Sequence, residues 1–221
     1  MKKIILALGI SALSFVAAAQ DSTKSALHER GTITIRSGIS IPKGKFGSKT
    51  KSEERAGFAD EGFHVAAEYT GYIDNYFGLG LTFGIRRNPF DAGAFNNDTL
   101  KTKYFAHTFW RTNYLLANTI FKIPVAPVLA LYFKVGGGIT FNTHPDINTT
   151  EFRKSQPEFL SRSTSLAYGL GSGIKWQGKK VGVNFEGYSL YTSGKFWAKN
   201  HTTRKELNAI NYSFGLSYKI R

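Results

Sequence analysis

Large apolar residues alternate one for one with small or polar residues through most of the chain. Near the C-terminus Ile210, Tyr212, Phe214, Leu216, Tyr218 and Ile220 are separated by Asn211, Ser213, Gly215, Ser217 and Lys219. A period of two predicts an extended strand with one apolar and one polar face. The pattern recurs over 32–41, with Ile33, Ile35, Ile39 and Ile41 opposed to Thr32, Thr34, Arg36 and Ser40, and over 62–72, with Phe63, Val65, Ala67 and Tyr69 opposed to His64, Ala66, Glu68 and Thr70. It is cleanest over 77–86, where Phe77, Leu79, Leu81, Phe83 and Ile85 face Gly78, Gly80, Thr82, Gly84 and Arg86. Segments 130–141, 166–176 and 181–191 repeat it. The stretch 104–122 is less regular. Trp110, Tyr114, Leu116 and Ile120 share a face opposite Arg111 and Asn113, Asn118 interrupts that face, and a bulge there would restore the register of the apolar side. The count is eight strands.

Short and long connections alternate. Turns around "IDNY", "IPVAP" and "QGKK" are brief, whereas 42–61, 87–103, 142–162 and 192–207 are long and mostly polar. That alternation predicts an all-β, eight-stranded antiparallel up-and-down sheet with its turns at one end and its loops at the other. The start of the chain is of a different kind: Lys2 and Lys3, an apolar run from Ile4, then Ala17 and Ala19 before Gln20. This is the order of a secretory signal. The expected organisation is a signal peptide over 1–19, a periplasmic tail over 20–31 and a single barrel over 32–221. No other stretch approaches the ~20 apolar residues of a membrane helix.

Which side of the sheet meets which solvent is decided by side-chain size. The polar face is dominated by Gly, Ser, Thr, Ala and Asn, and the other carries nearly all the bulky groups. A narrow eight-stranded lumen suits the small residues, and hydrocarbon suits a belt of Phe, Tyr, Leu, Ile and Val. Closure follows, because each unpaired backbone group at membrane depth costs several kcal/mol. The expectation is therefore a transmembrane β-barrel.

In this pattern the chain resembles the small eight-stranded outer-membrane β-barrel family, the porin-like outer membrane protein beta-barrel domain group, over about 31–221. The resemblance implies residence in the outer membrane of a Gram-negative bacterium. It also implies outer-membrane lipids and lipopolysaccharide as surroundings, the outer-membrane assembly machinery as a partner during biogenesis, and a monomer. Members of such families typically end in an aromatic residue, whereas here Tyr218 is the last aromatic and Arg221 the last residue.

Charge and chemistry refine this. The formal charge is +14, and without Lys2 and Lys3 there are 27 basic and 15 acidic residues. The excess lies in strands and turns rather than in a stripe on the loops, which argues against nucleic acid. On the polar face fall Arg36, Arg86, Arg111, Lys134, Lys175 and Lys219, with Glu68 and Glu186. By position along their strands, Arg36, Glu68, Arg111 and Glu186 fall near mid-barrel, so an ion-pair network in the lumen is expected there. Lys175, Lys179, Lys180, Lys219 and Arg221 gather at the short-turn end.

Cysteine is absent, which removes disulfides and thiolate chemistry. Among histidines, His64 shares a face with Glu68 and His107 falls near the same rim, but none sits in a nucleophile elbow or at a metal-ligand spacing. No catalytic residue, cofactor or metal is expected. The loop aromatics Phe46, Phe90, Phe95, Phe152, Phe159, Phe196 and Trp197 are candidates for surface contacts. The expected function is a non-enzymatic structural or surface-interaction role in the envelope. A lipid-modifying barrel enzyme, a small-solute pore and a secreted lipocalin-like carrier are the alternatives.

Overall fold

The computed structural model describes residues 31–50, 55–96, 104–106, 109–145, 147–149, 162–198 and 201–220. Eight long strands form the wall: β1 (Gly31–Pro42), β2 (Gly62–Tyr72), β3 (Phe77–Pro89), β5 (Phe109–Ala126), β6 (Leu129–Thr143), β8 (Arg162–Gln177), β9 (Val181–Ala198) and β11 (Ala209–Ile220). Each pairs antiparallel with its neighbours in sequence order, and β11 pairs with β1, so the sheet closes and has no edge. Three further strands sit at the loop end. β4 (Tyr104–Ala106) pairs with β7 (Ile147–Thr149), and β10 (His201–Glu206) pairs with the upper part of β9. The expected signal and most of the expected tail, 1–30, lie outside the described residues, as do 150–161.

The register fixes the geometry. Partners traced once round the barrel run from Phe77 to Phe121, Phe133, Ser172, Gly187, Tyr212, Ile39 and Phe63, and return to β3 at Arg87. The stagger from 77 to 87 is ten residues, which for eight strands sets a tilt of roughly 40–45°. A registered row therefore climbs along the barrel axis by about 3 Å per strand.

The bulky side of the sheet faces outward. Phe83, Phe133 and Phe214 are 51, 52 and 56% exposed, and Ile35, Leu81, Val135, Leu170, Phe185 and Leu216 share that surface. Such a girdle all round would be unstable in water. Inward-facing positions are polar: Thr32, Thr34, Arg36, Thr82, Asn118, Thr140, Asn184, Asn211 and Ser217 are buried. Among the described residues no helix is long and apolar enough to cross a membrane; the closed sheet with its apolar outer face is the element built to do so.

β5 departs from expectation. Its register with β3 and β6 runs without a break from Arg111 to Pro124, and the irregularity lies at Pro124/Ala126, not at Asn118. Trp110, Tyr114, Leu116 and Ile120 point into the lumen with Asn118, while Arg111, Asn113, Leu115 and Phe121 point out. Glycines on neighbouring strands make the room. A Cβ at Gly84 would lie 2.1 Å from the Tyr114 ring, and one at Gly136 would lie 2.0 Å from Asn118 Oδ1. Tyr188 covers Gly169 and Gly171 in the same way, and Tyr132 covers Gly173. The glycine-rich face is thus what lets a few large inward residues pack.

The fourth long connection also differs. The alternation of β9 continues through Thr192, Gly194 and Phe196, all buried, and β10 returns along it. This part of the loop is a hairpin extending the wall beyond the apolar girdle.

Candidate functional site

Four charges meet inside the barrel. Arg36 on β1 lies 2.6 Å from Glu68 on β2 and 3.4 Å from Glu186 on β9, and Lys134 on β6 lies 3.0 Å from Glu68 and 2.8 Å from Glu186. Each cation bridges both anions. Corrected for stagger, all four stand within about 3 Å of one level, roughly halfway down the apolar girdle. Neutral groups complete their hydrogen bonding: Thr82 Oγ1 donates to Glu68 at 2.7 Å, Tyr132 Oη donates to Glu186 at 2.9 Å, and Asn118 Nδ2 donates to Thr82 at 2.8 Å. Lys134 Nζ also stands over the Tyr188 ring at 4.7 Å. The square is charge-balanced, as buried ions at membrane depth must be.

Of the residues expected at this level, Arg36, Glu68 and Glu186 are brought together and Arg111 is not. Arg111 lies on the outward phase of β5 and is exposed. The stagger also raises it roughly 17 Å above the square. Lys134, on the inward phase of β6, fills the second cationic corner. It was on the polar face by sequence, but its level became visible only once the pairing was known.

Above the square, His64 and Tyr114 are hydrogen-bonded ring to hydroxyl. Arg86, fully buried, donates to Thr112 Oγ1 at 3.1 Å and to the Leu207 carbonyl at 2.7 Å. Its guanidinium also stands 5.3 Å from the Phe46 ring. Here the lumen meets the loops, which fold over it. Phe46, Trp110, Phe196 and Leu207 form a buried cluster, with His144 4.4 Å from Trp110 and 5.4 Å from Phe196. Trp110 Nε1 donates to the Gly57 carbonyl and Lys205 Nζ to the Ala56 carbonyl, so the first loop is tied to β5 and β10. Burial, with help from nearby Lys205, pushes the His144 imidazole down to about 4 despite its hydrogen bond to the Pro145 carbonyl. Beside this cap, Phe58 and Phe95 pack edge to face with Phe90 tilted against both, and Lys49 bridges Asp60 and Asp91. Hydrogen bonds from the Ala94 amide and from Lys49 hold Asp91 below its usual range. Of the loop aromatics expected at the surface, Phe46 and Phe196 are core of the cap; Phe152 and Phe159 lie outside the described residues.

Below the square lies a small recess of about 20 Å³, room for about one water, partly open to solvent and lined by Thr32, Thr34, Thr70, Tyr72, Tyr132 and Lys175. Lys122 and Lys175 approach the Tyr72 ring at 4.2 and 5.7 Å. Lys219 faces inward at this end, while Lys179 and Lys180 are exposed in the turn.

Among the described residues the histidines form no hydrolytic arrangement. His64 pairs with Tyr114, Glu68 belongs to the ionic square, and His107 lies outside the described residues. Among the described residues no group of three His, Cys, Asp or Glu could hold a metal ion.

No family model and no curated protein matches the sequence. Solved structures do. The crystal structure of neisserial surface protein A superposes with a TM-score of 0.55 at 13% identity, covering 86% of this chain and 97% of that one. OprG from Pseudomonas aeruginosa gives 0.47 at 15% identity, over 88% and 98% of the two chains, and Ail, the attachment invasion locus protein of Yersinia pestis, gives 0.46 at 17%, over 87% and 99%. At these identities the likeness is one of fold. The apolar exterior, polar interior and closed sheet are those of a barrel that spans a membrane with its strands. The chain has the fold of the small eight-stranded outer-membrane β-barrels.

Proposed function

We propose that the protein is a sealed, non-enzymatic barrel that anchors an ordered loop cap at the outer surface, with a structural or surface-interaction role. The observation that carries this reading is the double closure of the lumen. The ionic square of Arg36, Glu68, Lys134 and Glu186 crosses it at mid-depth, and the Phe46–Trp110–Phe196–Leu207 cluster covers the loop end. An eight-stranded lumen is narrow enough for side chains to fill, and two seals in series leave the lower recess a blind pocket. The cap is tied by side-chain bonds to three strands, which gives its outer surface a fixed shape suited to contact with other molecules. The barrel sits in phospholipid and lipopolysaccharide as a monomer, and β11, which closes the sheet against β1, is the strand that the assembly machinery would read.

Planar-bilayer recording of the refolded protein tests the seal. The wild type is expected to show no sustained conductance at 100 mV, and Glu68→Gln combined with Glu186→Gln to show frequent openings. Steady wild-type channels would replace this reading with the small-solute pore.

A further inference from the structure

The outward surface just above the apolar girdle is strongly cationic on one side. Arg87 on β3 is registered with Arg111 on β5, Arg111 with Thr143 on β6, and Thr143 with Arg162 on β8. All three arginines belong to the outward phase of their strands. Lys195 on β9 and its registered partner Arg204 on β10 continue the arc, and both are exposed. Among the described residues no carboxylate forms an ion pair with any of the five; Glu61 and Glu206 lie at its two flanks. Arg87 stands over the Phe63 ring at 5.6 Å, and Arg204 Nε donates to Ser193 Oγ at 3.0 Å, so two of the five are oriented at the wall.

Height gives the arc its meaning. Arg87 is ten residues above Phe77 on β3, about 25 Å along the barrel axis at this tilt, which is the height of the apolar band of such barrels. Phe77, Phe121, Leu131, Ile174 and Val183 mark the lower margin of the girdle, and Phe83, Leu115, Ile139 and Leu166 lie just beneath the arc. Allowing about 3 Å of climb per strand, the five cations occupy a band about 10 Å deep directly above the hydrocarbon. That is the headgroup layer of the outer leaflet.

We propose that this arc from β3 to β10 is a binding site for the phosphate groups of a phosphorylated outer-leaflet lipid whose acyl chains lie along Phe83, Leu115, Ile139 and Leu166. Charge complementarity and depth select this occupant. The cations stand where lipid phosphates stand, and the apolar wall below them offers acyl chains a surface that a free anion cannot use. Guanidinium groups match phosphate oxygens in pairs, and basic groups close to an anionic surface act together. The site rests on the membrane placement and not on the sealed lumen, so conductance results do not bear on it.

The test uses the refolded barrel in phosphatidylcholine vesicles doped with bisphosphorylated lipid A or with the same lipid stripped of phosphate. The readout is the shift in the temperature at which the folded gel band is lost. Wild type is expected to half-saturate at a mole fraction of bisphosphorylated lipid at least tenfold lower than of the stripped lipid, with the preference shrinking as salt rises. R87Q/R111Q/R162Q/K195Q should lose the preference while its folded band persists. R87K/R111K/R162K and the opposite-end control K179Q/K180Q should keep it. The proposal is overturned if the glutamine set retains the wild-type preference, if K179Q/K180Q loses as much, or if inorganic phosphate at matched concentration reproduces the shift. Should the fourfold variant not refold, R87Q/R111Q and R162Q/K195Q are measured separately, and each must lower the preference at least threefold for the site to stand.

Discussion

Replacing Glu68 by Gln removes one negative charge from the ionic square while keeping its shape. In the intact square Glu68 faces Arg36 at 2.6 Å and Lys134 at 3.0 Å. At an effective dielectric constant of 20 each attraction is about 6 kcal/mol, before subtracting several kcal/mol for desolvating each ion. The intact network is thus worth little net. Its broken form is a different matter, because Arg36 and Lys134 then share Glu186 alone and one buried charge is left over. Breaking a buried pair in this way costs about 3–5 kcal/mol. Removing a cation as well should return most of it, since Glu68→Gln with Lys134→Met leaves Arg36 balanced by Glu186. The expected coupling is about 1–3 kcal/mol in favour of the double variant. Urea unfolding of the barrel in phospholipid vesicles, followed by the folded and unfolded gel bands, measures it. Additive losses, or a single variant as stable as wild type, would show that the four side chains are independent hydrated groups.

Other consequences concern the cap and the packing. His144 is held neutral, with a folded value of about 4 against an ordinary 6.5; the unfolded form binds the extra proton first, so stability present above pH 6.5 is lost as pH falls toward 4. The loss at the acid limit is roughly 3 kcal/mol, which should appear as faster hydrogen exchange in the first loop near pH 4.5, and His144→Gln should flatten that dependence. Arg86→Gln frees the Leu207 carbonyl and the Phe46 ring and should cost about 1.5–3 kcal/mol, read as protease cleavage in the loops while the wall stays folded; unchanged cleavage would show that the cap does not hang on Arg86. Gly84→Val forces a side chain into the Tyr114 ring and should destabilise by at least ~1–3 kcal/mol. Combined with Tyr114→Ser it should cost less than the sum of the two single changes, and strict additivity would mean that Tyr114 does not occupy the space above Gly84.

The strand pattern carried the architecture because lipid and lumen impose opposite demands on alternate residues, and seven strands obey them. Segments 77–86 and 210–220 were legible residue by residue for that reason. β5 was not, since an eight-stranded lumen lined with glycine accepts Trp110, Tyr114 and Leu116, and size then ceases to mark the lipid side. Arg111 and Lys134 show a second limit. Parity places a charge inside or outside, but level depends on a ten-residue stagger that no single strand encodes; this hides the place of Lys134, and for Arg111 it adds to the unexpected phase of β5. The same stagger aligns Arg87, Arg111 and Arg162, which lie far apart in sequence. The β9–β10 hairpin continued an alternation already visible in Thr192, Gly194 and Phe196, but its polar composition reads as a loop.

The outward direction of the bulky face can be measured directly. The chain has no cysteine, so single cysteines at 83, 133 and 214, and at 82, 134 and 213 as inward neighbours, can each carry a spin label in the refolded, vesicle-bound protein. Labels at 83, 133 and 214 should be relaxed strongly by oxygen, which concentrates in hydrocarbon, and weakly by a water-soluble nickel chelate, with the neighbouring positions shielded from oxygen. The reverse pattern, with 83, 133 and 214 shielded from lipid, would put the aromatic face inside the cylinder and contradict a membrane-spanning barrel.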